Sequence, residues 1–317
     1  FIKVKWNGDD WGAMAFNEHF GKELLESNGR RSAPIVRFDT DYRVKAIATG
    51  AKIWNYADTV SSKQTDSLIY QNFNNQNPLP ISHYGRNQIN SDEVFKKQFQ
   101  TASTLLDGWR QGRYDVSEVF DLDKFAKYVA LCDIFEGTHG FMDLNMAFYY
   151  NPITSKLEPI AEDVHSGIHP FILSISIING FISSSNILES QNVPNFLWKD
   201  YSLYENRTIL RSLFKDESFI LMYLEYIKKF SKKDFLDNFI DSINDEMKDE
   251  LHTLYTDYQN YSFNSKKNKL YSIQEIIRLD LNPPTGLLAY LSEYKNNKLI
   301  LDVGVSQILP VEISSIN

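Results

Sequence analysis

Residues 136–169 read EGTHGFMDLNMAFYYNPITSKLEPIAEDVHSGIH, and the fold turns on how this stretch pairs with itself. NMAFYY and LEPIAE are two short extended runs, and NPITSK between them is a turn, with Pro152 at an early position that its fixed φ suits. The two runs form a hairpin, so Asn145 at the start of one and Asp163 at the end of the other are expected to meet. An amide oxygen beside a carboxylate suits a hard cation such as Mg²⁺, which carries phosphates with it. Asn145 simply opening a strand and Asp163 capping a helix is the purely structural alternative.

Working outward, DLDKFAKYVALCDIFEG puts Phe125, Tyr128, Val129, Leu131, Cys132 and Phe135 on helical spacings. Cys132 reads as core, because no basic motif lies near it to lower a thiol pKa. SDEVFKKQFQTASTLLDGWRQG is a helix opened by Ser91, with Val94, Phe95, Phe99, Leu105, Leu106 and Trp109 as its apolar positions. At the start, FIKVKW and WGAMAF flank an Asn-Gly turn and form a second hairpin. EHFGKELLESNGRR follows as a helix ending at Gly29, then APIVRF as a strand. From about 43 to 90 the chain is polar, with one helical candidate and a proline-containing loop.

The last third is helical. KDESFILMYLEYIKKF is one helix, and SKKD at 231–234 resembles a capping box for the next. That next helix carries a long stripe from Leu236 through Ile243 to Leu254. YSIQEIIRLD and PTGLLAYLSEYKN read as two further helices, broken by Asn282, Pro283 and Pro284. KLILDVGVSQILPVEI then alternates as strand. The class is α+β.

With 317 residues, 43% hydrophobic and 23% charged, the chain is long enough for a core without staples. Its one cysteine excludes an internal disulfide. A net charge of 33 − 41 = −8 argues against nucleic acid as a partner. The longest apolar run, at 171–182, is about twelve residues, short of the ~20 a membrane span needs. There is no GxGxxG, Walker loop, GxSxG or HExxH, and the SxxK at Ser212 and Lys215 is a chance match on a helix. His139, His165 and His169, with Asp163, offer a rival zinc set, but Gly167 and Pro170 disfavour the regular helix such spacing needs.

Three stretches together resemble the CotH-like family, the atypical protein kinases named after spore coat protein H. They are WNGDDWGAMAFNEHFGKELLESNGRRSAPIVRF, DLDKFAKYVALCDIFEGTHGFMDLNMAFYYNPITSKLEPIAEDV and LRSLFKDESFILMYLEYIKKFSKKDFLDNFIDSINDEMKDEL. The resemblance implies an atypical protein-kinase-like two-lobe fold with an ATP–Mg²⁺ cleft. A small β-rich N-terminal lobe is expected over residues 1–90, lacking its start because Phe1 falls within a strand. A larger, mainly helical C-terminal lobe is expected over 91–295, with the metal hairpin at 144–163, and a further β element from 296 to 317. Asn145 and Asp163 would then be the metal ligands, Glu18 would lie by the nucleotide, and Arg37 is the candidate basic contact.

One departure stands out. Protein kinases place a catalytic aspartate five residues before the metal asparagine, and here that residue is Gly140. Asp143 and His139 are the nearby candidates for the base. Phosphoryl transfer to a protein substrate is the leading expectation. A pseudokinase or binding module, partnered in a spore coat or cell envelope outside the cytoplasm, is the alternative.

Overall fold

Asn7 and Gly8 both take positive φ (51° and 93°), as a two-residue hairpin turn requires. The chain therefore folds back between β1 (Ile2–Trp6) and β2 (Asp9–Met14). The computed structural model describes residues 1–39, 80–84, 88–137, 140, 145–162, 164, 212–281 and 287–305. Helix α1 (Lys22–Ser27) starts later than EHFGKELL suggested and closes before Gly29, whose φ of 63° ends it.

Strands β3 (Ile35–Phe38), β4 (Ile81–His83), β5 (Ala147–Asn151) and β6 (Lys156–Ile160) form one antiparallel sheet in the order β4-β3-β5-β6. It takes two strands from each side of the boundary expected near residue 90. All five residues of β5 are buried, as a strand with neighbours on both edges and cover on both faces demands. The β5–β6 turn is closed by Asn151, whose Oδ1 accepts the Ile153 N–H at 2.9 Å.

One face of the sheet, with Val36, Phe38 and Phe148, lies under α2 (Glu93–Arg110) and α4 (Leu122–Phe135). Phe120, fully buried after the short α3 (Val116–Val119), sits at the junction. Its ring lies 5.2 Å from Phe125, 5.5 Å from Phe148 and 5.6 Å from Trp109. Helix α5 (Glu217–Phe230) packs along α4 and buries Phe219, Tyr223, Ile227 and Phe230. There Tyr223 Oη donates to the buried Asp133 at 2.6 Å. Helices α6 (Lys233–Ser242), α7 (Asn244–Tyr255) and α8 (Phe263–Leu281) complete the helical side, and β7 (Leu287–Lys295) pairs with β8 (Lys298–Val305).

The fold is mixed α+β, and several local expectations are corrected. Asp92, one residue after Ser91, caps α2 by accepting the Val94 and Phe95 N–H groups, which leaves Val94 exposed. SKKD makes no capping box: Lys232 is the cap residue and has no side-chain bond. Gln274 Nε2 instead satisfies the Phe230 and Lys232 carbonyls, at 2.8 and 2.7 Å. The stripe from Leu236 to Leu254 is split at Ile243 into α6 and α7. LLAYLSEYK, expected to be helical, is β7: Asn296 and Asn297 both adopt left-handed φ (53° and 56°) and fold it onto β8, so this β element begins at Leu287 rather than 296. The helix expected between 43 and 79 lies outside the described residues, and within the stretch expected as a loop before Ser91, Ile81–His83 is strand β4 instead.

Phe120→Ala removes a ring at the junction of the sheet, α2 and α4. Chemical denaturation should show a loss of about 3–5 kcal/mol, with the m-value unchanged.

Candidate functional site

The β5–β6 register runs from Asn151 opposite Lys156 to Ala147 opposite Ile160. Continued two residues further, it sets Asn145 opposite Glu162. The β3–β5 register pairs Arg37 with Ala147, so two residues on it sets Asp39 opposite Asn145. Asp39 is tied there by its N–H, which donates to the Pro80 carbonyl at 2.7 Å. Three half-buried oxygen-bearing side chains thus gather at one end of the sheet. Asp163 follows Glu162 directly and lies outside the described residues, as do Asp143, His139, His165 and His169. Among the described residues alone, no three His, Cys, Asp or Glu side chains form a metal site.

Side chains alternate along a strand, so Ile35, Arg37 and Asp39 share the sheet face away from α2. The Arg37 guanidinium lies over the Tyr84 ring, 4.7 Å from its centroid. Tyr84 and Ile35, with Phe20, Leu25 and Lys22, line a cavity of about 240 Å³. From Ile35 to Asp39 is four residues, about 13 Å at ~3.3 Å per residue. An apolar cavity, an arginine and an oxygen-rich strand end therefore follow one another along β3. Glu18 is exposed before α1, and its described contact is local, accepting from Ser27 Oγ at 3.4 Å. A larger groove of about 880 Å³ between β2 and α7 contains none of these residues.

Gly137 and Gly140, which follow α4, stand against the exit of β6. A Cβ on Gly140 would stand 2.8 Å from Tyr128 Oη, 2.9 Å from Val164 Cγ1 and 3.0 Å from the Glu162 carbonyl oxygen. One on Gly137 would meet Cys132 Sγ at 3.1 Å and Val164 Cβ at 3.2 Å. A side chain at position 140, five residues before Asn145, would force Tyr128, Val164 or the Glu162 backbone to shift. Burial, with Asp133 nearby, pushes the Cys132 thiol up, and burial does the same to the Tyr128 hydroxyl. Cys132 is core, as its sequence context suggested, and is protonated at neutral pH.

Glu136 ends α4 in the left-handed conformation (φ 60°), with its side chain 1% exposed. Lys266 Nζ reaches its Oε2 at 2.9 Å and Lys269 Nζ its Oε1 at 2.5 Å, both from α8. Burial alone would raise this carboxyl; hydrogen bonds and charge from Lys269 and Lys266 outweigh it and hold the pKa below the ordinary value of 4.5. A second buried carboxylate, Glu158, is held by Arg30 at 2.8 Å, Lys124 at 3.1 Å and Asn151 Nδ2 at 2.6 Å.

Sequence reasoning missed Asp39, although it stands two residues beyond Arg37 with the same strand parity. Glu162 ends the run LEPIAE, and only the β5–β6 register brings it opposite Asn145. Compared with family models, curated proteins and solved structures, the chain matches none. No helix among the described residues is long and apolar enough to cross a membrane.

Gly140→Asp should destabilise the fold by about 1–3 kcal/mol through overpacking against Tyr128, Val164 and the Glu162 carbonyl, read by urea denaturation. A lowered folded pKa makes the Glu136 contribution full above the unfolded value and lost as pH falls through the folded one. The stability gap between wild type and Glu136→Gln, measured by denaturation, should be flat from pH 7 to about 5 and shrink below about 4.5.

Proposed function

We propose that the chain is a CotH-like atypical kinase domain, binding Mg²⁺ and ATP at the open end of the β5–β6 hairpin and phosphorylating a protein hydroxyl. The observation that carries this reading is the hairpin register, which sets Asn145 alongside Glu162, the residue before Asp163. The two-lobe arrangement, with the β-rich part over the helical part, belongs to the same reading. Asn145 and Asp163, joined by Asp39 and Glu162, are all oxygen donors, which is the donor set Mg²⁺ accepts. When bound, the ion supplies neutralisation of charge on the phosphate oxygens.

The chain's own residues do the rest. Arg37, steadied by Tyr84, holds a phosphate oxygen. The cavity beside Ile35 takes the base, at a distance suited to an extended nucleotide. Glu18 is a weaker contact to the nucleotide. The acceptor hydroxyl oxygen forms the new bond to the γ-phosphorus while the bond to the β–γ bridging oxygen breaks and ADP leaves. The hydroxyl proton passes to His139 or Asp143.

The closed Gly140 position favours a second reading. With no side chain admitted where kinases keep their base, a pseudokinase would bind nucleotide and a coat or envelope partner without transfer.

Thermal unfolding with and without Mg²⁺ and ATP tests the shared core of both readings. At nucleotide about 100-fold above Kd, the native state should gain about 2.7 kcal/mol. Asn145→Ala and Asp163→Ala should each abolish the gain; absence of a shift in wild type, or its survival in both variants, contradicts the site. Radiolabelled γ-phosphate transfer separates the readings. Incorporation that falls about 10²–10⁴-fold in His139→Asn or Asp143→Asn identifies the base, whereas binding without incorporation establishes the pseudokinase.

A further inference from the structure

Glu136 breaks two local rules at once. A left-handed backbone is the habit of glycine, and a carboxylate with a 1% exposed side chain is costly unless paired. Such an outlier persists only where its surroundings fix it. Here Lys266 and Lys269 do so from α8, 130 and 133 residues further along the chain. The next residue, Gly137, donates its N–H to the Cys132 carbonyl at 2.7 Å, and the Gly140 N–H donates to Gly137 at 3.2 Å. Gly137 and Gly140 then press on Val164 and the Glu162 carbonyl, at the exit of β6.

We propose that Glu136, clamped by Lys266 and Lys269, is a positioning residue that sets Gly137 and Gly140 against the strand exit at Glu162 and Val164. The clamp fixes the direction in which the chain leaves α4, and the two glycines transmit that direction to the opposite wall of the candidate site. The consequence for ligand affinity rests on the Mg²⁺–nucleotide reading; the mechanical role does not.

Glu136→Gly separates backbone from charge, since glycine accepts the left-handed conformation while removing the carboxylate. This variant, Glu136→Gln and the double change Lys266→Met with Lys269→Met are compared with Glu158→Gln, which disturbs an equally buried carboxylate on an ordinary strand. Amide hydrogen exchange over residues 137–146 should quicken at least about 10-fold in Glu136→Gly and in the double variant, and stay at the wild-type rate in Glu158→Gln. Mg²⁺·ATP affinity, by titration calorimetry, should weaken about 10- to 100-fold in the same two variants, the range for lost supporting contacts around a metal. Glu136→Gln keeps a hydrogen-bonding amide and should fall between. Wild-type exchange in the Glu136 variants, or an equal effect in Glu158→Gln, overturns the proposal. If the wild-type protein takes up no Mg²⁺·ATP, the kinase reading fails, and the exchange rates alone decide the clamp.

Discussion

The burial of β5 on both faces is the constraint on which the rest depends. Ala147, Phe148, Tyr149, Tyr150 and Asn151 are all enclosed between β3 and β6, with α2 and α4 above. A slip of one residue would turn Phe148 out of the aromatic junction with Phe120 and Phe125 and drive Tyr149 into it. The register is therefore strongly specified. Because it is, the residues just beyond the strands are specified as well: Asp39, Asn145 and Glu162 arrive at one sheet end through packing that none of them makes.

Buried charge does a different job. Glu158 joins β6 to Arg30 before β3 and to Lys124 on α4, while Glu136 joins the end of α4 to α8. Each carboxylate is met by two cations, so each network is nearly self-compensating, and removing one partner costs more than the pair contributes. These links join segments far apart in the chain: Arg30, Lys124 and β6 through Glu158, and α4 and α8 through Glu136. Among the described residues no such tie reaches the β7–β8 hairpin, where Leu291, Tyr294, Leu299 and Val303 are exposed.

Much of this was legible in the sequence, and the reasons for the misses are physical. The β5–β6 and β1–β2 hairpins were readable because turn residues and alternation agree at both. LLAYLSEYK misled because its apolar residues fit a helical face nearly as well as a strand; the deciding signal was the Asn296–Asn297 turn that follows. The break at Ile243 has no glycine or proline to announce it. Asn145 comes from the local hairpin pattern and Arg37 from the family resemblance, whereas Asp39 needs the β3–β5 pairing, which joins residues more than a hundred apart. At Gly140 the sequence shows only a glycine five residues before Asn145; the close approach of Tyr128, Val164 and the Glu162 carbonyl needed the fold.

The proposed Mg²⁺ site at the open end of the β5–β6 hairpin is open to a direct test. Paramagnetic broadening of backbone amide resonances by Mn²⁺, added with ATP in place of Mg²⁺, tests it most directly. The account predicts broadening centred on Asp39, Asn145 and Glu162, reversed by excess Mg²⁺, with the Asn151–Ser155 turn at the far end of the hairpin unaffected. Broadening centred elsewhere, or none at saturating Mn²⁺ and ATP, would contradict it.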